Sequence, residues 1–339
     1  MIIVLKPNIT KKEEQAVIKE IEKLGYKPCV MRGVARTVIG AIGDETTHRS
    51  LETLLSWEQV ENVMPVQKRY RLVSREGHPE NSVINVRDDI HIGGKKFHIM
   101  AGPCSVESEK QLMTAAVAVK KAGATILRGG AFKPRTSPYE FQGLGEKGLK
   151  LLYKAKQETG LAIITELLSE NHADLVAEYT DIIQIGTRNA QNFQLLIAAA
   201  KTGKPVLLKR GMSMKIEEWL LAGEYVLANG NPNLMFCERG IRTFETYTRN
   251  TLDLSAIPIV KNESHCPIVI DPSQGSGRSD LVIALCKGAV AMGADALLIE
   301  VHPNPAEAWS DGAQQLDLKK FEHLVSEIKP FIEAAGRTL

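Results

Sequence analysis

The chain has no apolar run long enough for a membrane, no paired cysteine spacing and almost no excess of charge. A bilayer span needs about 18 consecutive apolar residues, and no stretch approaches that. The opening MIIVLKPNIT has neither a basic start nor a small-residue cleavage site, so no signal peptide and no membrane partner are expected. A net charge of +2 carries no polyanion-binding signature and argues against a nucleic-acid partner. Cys29, Cys104, Cys237, Cys266 and Cys286 are an odd number and widely scattered. That favours reduced thiols in a cytoplasmic protein over a disulfide framework. Also missing is a glycine-rich dinucleotide fingerprint, which a doubly wound sheet would show after its first strand.

What is present divides in two. The first 70 or so residues read βαββαβ. IIVLK is a strand, and Thr10 caps a helix with Ala16, Ile18, Ile21 and Leu24 near one face and Gly25 closing it. KPCVM and RTVIGAIG are strands, THRSLETLLS a second helix, and VENVMPV a last strand. This order predicts a small α+β ferredoxin-like domain over residues 1–70, with no acid/base pair or phosphate loop of its own. Residues 71–97 read as a linker with a hairpin signal at Gly93-Gly94.

From there short buried strands alternate with amphipathic helices. FHIMAG, ATILRGG, AIITEL, DIIQIG, PVLLKR, NLMFCERG, PIVIDPS and ALLIEVHP are the strand candidates. Eight such units predict a (β/α)8 TIM barrel over residues 98–339, a size close to the roughly 250 residues typical of that fold.

Active sites of such barrels lie at the C-terminal ends of the strands. Those ends carry Cys104, then Arg128 followed by Lys133, Arg135 and Thr136, then Glu166, Arg188, Lys209 with Arg210, Glu238 with Arg239, Asp271 with Gln274, and Glu300 with His302. Asp311 follows in the last loop. One arginine at a strand end is as easily a surface ion pair as a ligand. Cations at so many ends repel one another unless anions join them, and arginine suits phosphate and carboxylate through its bidentate fork. Cys104, Glu300 and Asp311, from the first and last strands of a closed barrel, form a second set able to ligate a divalent transition metal. A fourth ligand is expected from the seventh strand, where Gln274 stands.

These same segments carry a family resemblance. AGPCSVES, LRGGAFKPRTSPYEFQGLGEKGL, DIIQIGTRNAQNF, PVLLKRG, CERGIRTFE and IEVHPNPAEAWSDGAQQL resemble 3-deoxy-D-arabino-heptulosonate-7-phosphate (DAHP) synthase, in the form with an N-terminal ferredoxin-like, ACT-like regulatory domain. The resemblance implies condensation of phosphoenolpyruvate with erythrose 4-phosphate, the first step of the shikimate pathway toward aromatic amino acids. It implies phosphoenolpyruvate among Arg128, Lys133, Arg188, Lys209 and Arg239, and the aldose phosphate at Arg135 and Thr136. Lys133 and Glu166 are the candidates for moving protons, with the Lys133 pKa expected to be depressed among other cations. The resemblance further implies a homotetramer and an amino-acid effector at the N-terminal domain.

Two departures follow. The family's metal set resembles Cys, His, Glu and Asp, and Gln274 stands where the His is expected. Three explanations compete: weak ligation through the amide oxygen of a divalent ion of the manganese, zinc, cobalt or iron class, ranked first; a dispensable metal; or an impaired variant. His302 shares the face of Glu300 but lies about 6 to 7 Å further along a continuing strand, too far to substitute readily. In the N-terminal domain, PCVMRG offers little hydrogen bonding for tyrosine. A smaller or more apolar effector such as phenylalanine, or none, fits better. The rival readings are a 3-deoxy-D-manno-octulosonate-8-phosphate synthase and a silent phosphometabolite sensor. His48, His78, His91, His98, His172, His265 and His323 read as surface or hairpin residues.

Overall fold

The computed structural model describes residues 1–33, 36–43, 47–65, 68–87 and 89–339. The chain forms two compact units, Met1–Arg69 and Tyr70–Leu339.

In the first unit β1 (Ile2–Leu5), β2 (Lys27–Arg32), β3 (Thr37–Ile42) and β4 (Val60–Met64) form an antiparallel sheet in the order β2-β3-β1-β4. Helix α1 (Lys11–Lys23) starts at a capping box, in which the Thr10 hydroxyl accepts from the Glu13 N–H and the Glu13 carboxylate accepts from the Thr10 N–H. Val17, Ile18 and Ile21 bury its inner face against Ile3, Leu5 and Ile39. The expected second helix is only a 3₁₀ helix, Leu51–Ser56, held by Leu51 and Leu54 in the core. Six residues with two apolar anchors are too few to nucleate a stable α-helix. The last strand stops at Met64, and Val66 lies outside the described residues.

The second unit is a closed eight-stranded parallel barrel in sequential order. Its strands are β7 (His98–Gly102), β8 (Ile126–Arg128), β9 (Ala162–Leu167), β10 (Ile182–Ile185), β11 (Val206–Lys209), β12 (Leu234–Glu238), β13 (Ile268–Ile270) and β14 (Ala296–Glu300), with β14 pairing back onto β7. These runs are apolar on both faces because one face fills the barrel and the other meets helices. Met100, Ile126, Ile164, Leu207, Met235, Val269 and Leu298 point inward.

Residues 71–97 do more than connect. A hairpin of β5 (Ile84–Arg87) and β6 (Ile90–Ile92) puts Ile84, Ile90 and Ile92 into that same interior cluster. Arg87 pairs with Ile90 across the hairpin, and the Gly93-Gly94 pair follows the second strand rather than joining the two. Gly93 has a φ of +93°, which suits the turn back toward β7. His98 and His265 are buried, contrary to the expectation of surface histidines. His98 packs at the start of β7, where its Nε2 accepts from the His91 N–H at 3.3 Å and its Nδ1 meets the Thr125 hydroxyl at 3.0 Å. Among the described residues no helix is long and apolar enough to cross a membrane.

Candidate active site

The strand ends open into a cavity of about 360 Å³. Arg128, Lys133, Arg135, Thr136, Glu166, Arg188, Lys209, Arg239, Gln274 and Asp311 all line it. Cys104 and Glu300 are sealed beneath its floor. Arg242, Arg249 and Asn250 also line it, from the long segment after β12. Sequence reading missed these three, although CERGIRTFE contains Arg242. Eight cationic side chains and three carboxylates meet there, an excess of five positive charges.

The remaining strand-end charges are spent elsewhere. Arg210 donates to Glu238 at 3.0 Å and Asp253 at 2.9 Å and lies over the Trp219 ring, so neither Arg210 nor Glu238 serves the cavity. His302 is engaged by Glu107 at 3.2 Å and accepts from the Asn304 N–H at 3.0 Å, so it stands apart from the acidic cluster.

Local structure sets each group. Gly102 has a φ of +152°, and a Cβ there would come within 2.2 Å of the Arg128 carbonyl oxygen. The chain can therefore pass directly over β8 and deliver Cys104 beside Arg128. Arg128 donates to the Pro103 carbonyl at 2.7 Å and to Glu300 at 3.1 Å, while its buried Nε–H has no partner among the described residues. A buried donor without a partner is costly, and an anionic ligand in the cavity would satisfy it. Lys209 pairs with the fully buried Asp271 at 2.6 Å. Asp271 in turn caps the short helix Pro272–Ser276, accepting from the Gln274 N–H at 2.9 Å. Arg135 is held by Glu140 at 2.8 Å. Lys133, Arg188, Arg239 and Arg242 have no carboxylate partner among the described residues. Glu166 sits against Gly186, where a Cβ would fall 1.8 Å from its carboxylate.

Cys104, Glu300 and Asp311 offer ligand atoms that all lie within 4.8 Å of one another. The thiol Sγ is 3.4 Å from Asp311 and 3.0 Å from the Lys133 ammonium. Burial, with Glu300 nearby, pushes the thiol up to about 11. Burial would likewise raise the Asp311 carboxyl, but Arg249 and Lys133 beside it bring it down to about 2. Burial draws Lys133 down, yet Cys104, Glu300 and Glu166 outweigh it and the ammonium stays charged, above its ordinary value. The depressed lysine expected from sequence is thereby overturned, because acids rather than cations dominate its surroundings.

Gln274 turns its amide nitrogen toward this cluster. It donates to Glu300 at 3.0 Å and to Asp311 at 3.3 Å, and its oxygen accepts from Arg239 at 3.2 Å. The three acidic groups have the chemistry of a transition-metal set. The fourth group, as oriented, presents hydrogens rather than a lone pair.

Residues 77–334 match the DAHP synthetase I family, and residues 1–68 match the DAHP synthase ferredoxin-like domain. A Thermotoga maritima phospho-2-dehydro-3-deoxyheptonate aldolase is 52% identical over 336 residues, which covers 99% of each chain. The crystal structure of a Thermotoga maritima DAHP synthase superposes with a TM-score of 0.94 at 51% identity, covering 99% of this chain and 98% of that one. A Caulobacter vibrioides 2-dehydro-3-deoxyphosphooctonate aldolase is 34% identical over 273 residues, covering 73% of this chain and 93% of the relative. The full-length likeness, N-terminal unit included, therefore lies on the heptonate side, and the chain belongs to the DAHP synthetase I family.

Proposed function

We propose that this chain condenses phosphoenolpyruvate with erythrose 4-phosphate to DAHP and inorganic phosphate, with the cavity residues in the roles below. It is the reaction of its family, a transferase step of aromatic amino acid biosynthesis. The cavity's charge carries the reading. Two phosphates at up to about −2 each and one carboxylate suit a cavity lined by eight cations, four of which, Lys133, Arg188, Arg239 and Arg242, have no carboxylate partner among the described residues.

Arg128, Lys133, Arg188, Lys209 and Arg239 hold phosphoenolpyruvate, with the free Arg128 Nε–H as one donor to its anionic groups. Arg135 and Thr136 hold the aldose phosphate. C3 of the enol then attacks the aldehyde carbon, and the Lys133 ammonium donates to the oxygen as it becomes an alkoxide. Water adds at the cationic C2, with Glu166 taking its proton, and the hemiketal loses phosphate by C–O cleavage. Gly186 leaves Glu166 room to reach that water.

Cys104, Glu300 and Asp311 would hold a divalent ion of the manganese, zinc, cobalt or iron class, which would supply Lewis acidity to the aldehyde oxygen. Gln274 makes that ion weakly bound or dispensable. The reading extends to a homotetramer and to an aromatic effector at the ferredoxin-like unit, where exposed Cys29 and Met31 favour an apolar ligand over tyrosine.

The deciding assay follows loss of the enol absorbance of phosphoenolpyruvate with erythrose 4-phosphate and, separately, arabinose 5-phosphate. Turnover of the four-carbon sugar alone supports the reading. Turnover of arabinose 5-phosphate alone would replace it with the octulosonate reaction.

A further inference from the structure

We infer that this site works without a metal ion, because the Gln274 amide bridges the groups that an ion would otherwise hold together. The inference rests on the reaction proposed above.

An ion among Cys104, Glu300 and Asp311 would keep three acidic groups at close quarters. Here each already has its own cation. Lys133 donates to Cys104 Sγ at 3.0 Å, Arg128 to Glu300 at 3.1 Å and Arg249 to Asp311 at 3.0 Å. The two Gln274 N–H groups then tie the carboxylates to each other, at 3.0 and 3.3 Å. A primary amide has two N–H donors, and both are used.

Weak ligation through the amide oxygen, the first-ranked expectation from sequence, would require the amide to turn over. Its oxygen would leave Arg239, 3.2 Å away, and its nitrogen would then face that guanidinium, donor against donor. Without an ion the turned oxygen would stand against two carboxylate oxygens. An ion must therefore overcome three hydrogen bonds of the amide and three cations before it gains one neutral ligand. The electrophile's part falls to Lys133. Its ammonium has three N–H groups, and Cys104 takes two, at Sγ and at the carbonyl oxygen 3.1 Å away. One is left for the aldehyde oxygen.

The test uses the full chain after exhaustive chelation and gel filtration. Cobalt(II) is titrated in while the thiolate-to-cobalt charge-transfer band is recorded, and phosphoenolpyruvate consumption is measured with chelator and with manganese or zinc. The expected result is no charge-transfer band and unchanged kcat/KM in chelator. Gln274→His should bind cobalt with that band, about a hundredfold or more tighter. A stoichiometric band in the unaltered protein would overturn the inference, as would activity that appears only with added ion. Inactivity in every state would overturn the proposed reaction as well, whereas metal-dependent turnover would leave that reaction standing. If the His variant does not fold, the unaltered protein still decides the matter on both readouts.

Discussion

Arg128 and Glu300 form a 3.1 Å ion pair with both side chains nearly sealed from water, while the Arg128 Nε–H has no acceptor among the described residues. The pair serves two purposes: it neutralises a carboxylate in the barrel floor and keeps one donor for substrate. Replacing Arg128 by Lys keeps the charge and loses the fork. The KM for phosphoenolpyruvate should rise about 10- to 100-fold, at about 1.4 kcal/mol per decade. Arg128→Ala strands Glu300 and should cost about 3–5 kcal/mol of stability in urea unfolding. An Ala variant as stable as the parent would show that the pair is not holding the floor.

Gly186 and Glu166 make a second pair with consequences for rate. Alanine suits the backbone at Gly186, but its Cβ would fall 1.8 Å from the Glu166 carboxylate. Glu166 must then move away from the cavity. We expect Gly186→Ala to lower kcat at least about tenfold, approaching Glu166→Gln, with little change in melting temperature. Unchanged kcat in both variants would remove Glu166 from the proton-transfer role.

Lys133 should be intolerant of any neutral replacement. Lys133→Met keeps the length and removes the ammonium 3.0 Å from Cys104 Sγ. Loss of one preorganised donor to a developing oxyanion costs about 10²–10³ in kcat. Steady-state kinetics with both substrates saturating would show it. A drop confined to KM would reassign Lys133 to phosphate binding.

His98 predicts an acid limit to stability. Burial lowers its pKa from 6.5 to about 4, and Nε2 already accepts from the His91 N–H. The unfolded chain binds this proton more readily, so stability is full above about pH 6.5 and falls as pH drops toward about 4. The total loss is at most about 3 kcal/mol. His98→Gln should flatten melting temperature against pH in that window. An unchanged slope would place the acid sensitivity elsewhere.

Much of this architecture is legible along the chain. Alternating buried runs and helical periods predict eight barrel units, and all eight strand candidates contain an observed strand. Strand-end residues are exposed by position, so Arg128, Lys133, Glu166, Lys209 and Arg239 can be picked out one by one. The reading weakens where partners are distant in sequence. Arg249 reaches Asp311 across 62 residues. Arg210 looks like a cavity cation until Glu238 and Asp253 are seen to neutralise it. The second N-terminal helix has a helical pattern over too few residues to set its own hydrogen bonding.

The identity of the residue at position 274 is a sequence fact, and so is its mismatch with the histidine expected there. Its meaning is tertiary. An amide can offer an oxygen or two hydrogens, and nothing in its neighbours along the chain selects between them. Arg239 on one side and the carboxylates of Glu300 and Asp311 on the other make the choice, because hydrogen-bond polarity is set by whatever the fold brings within about 3 Å.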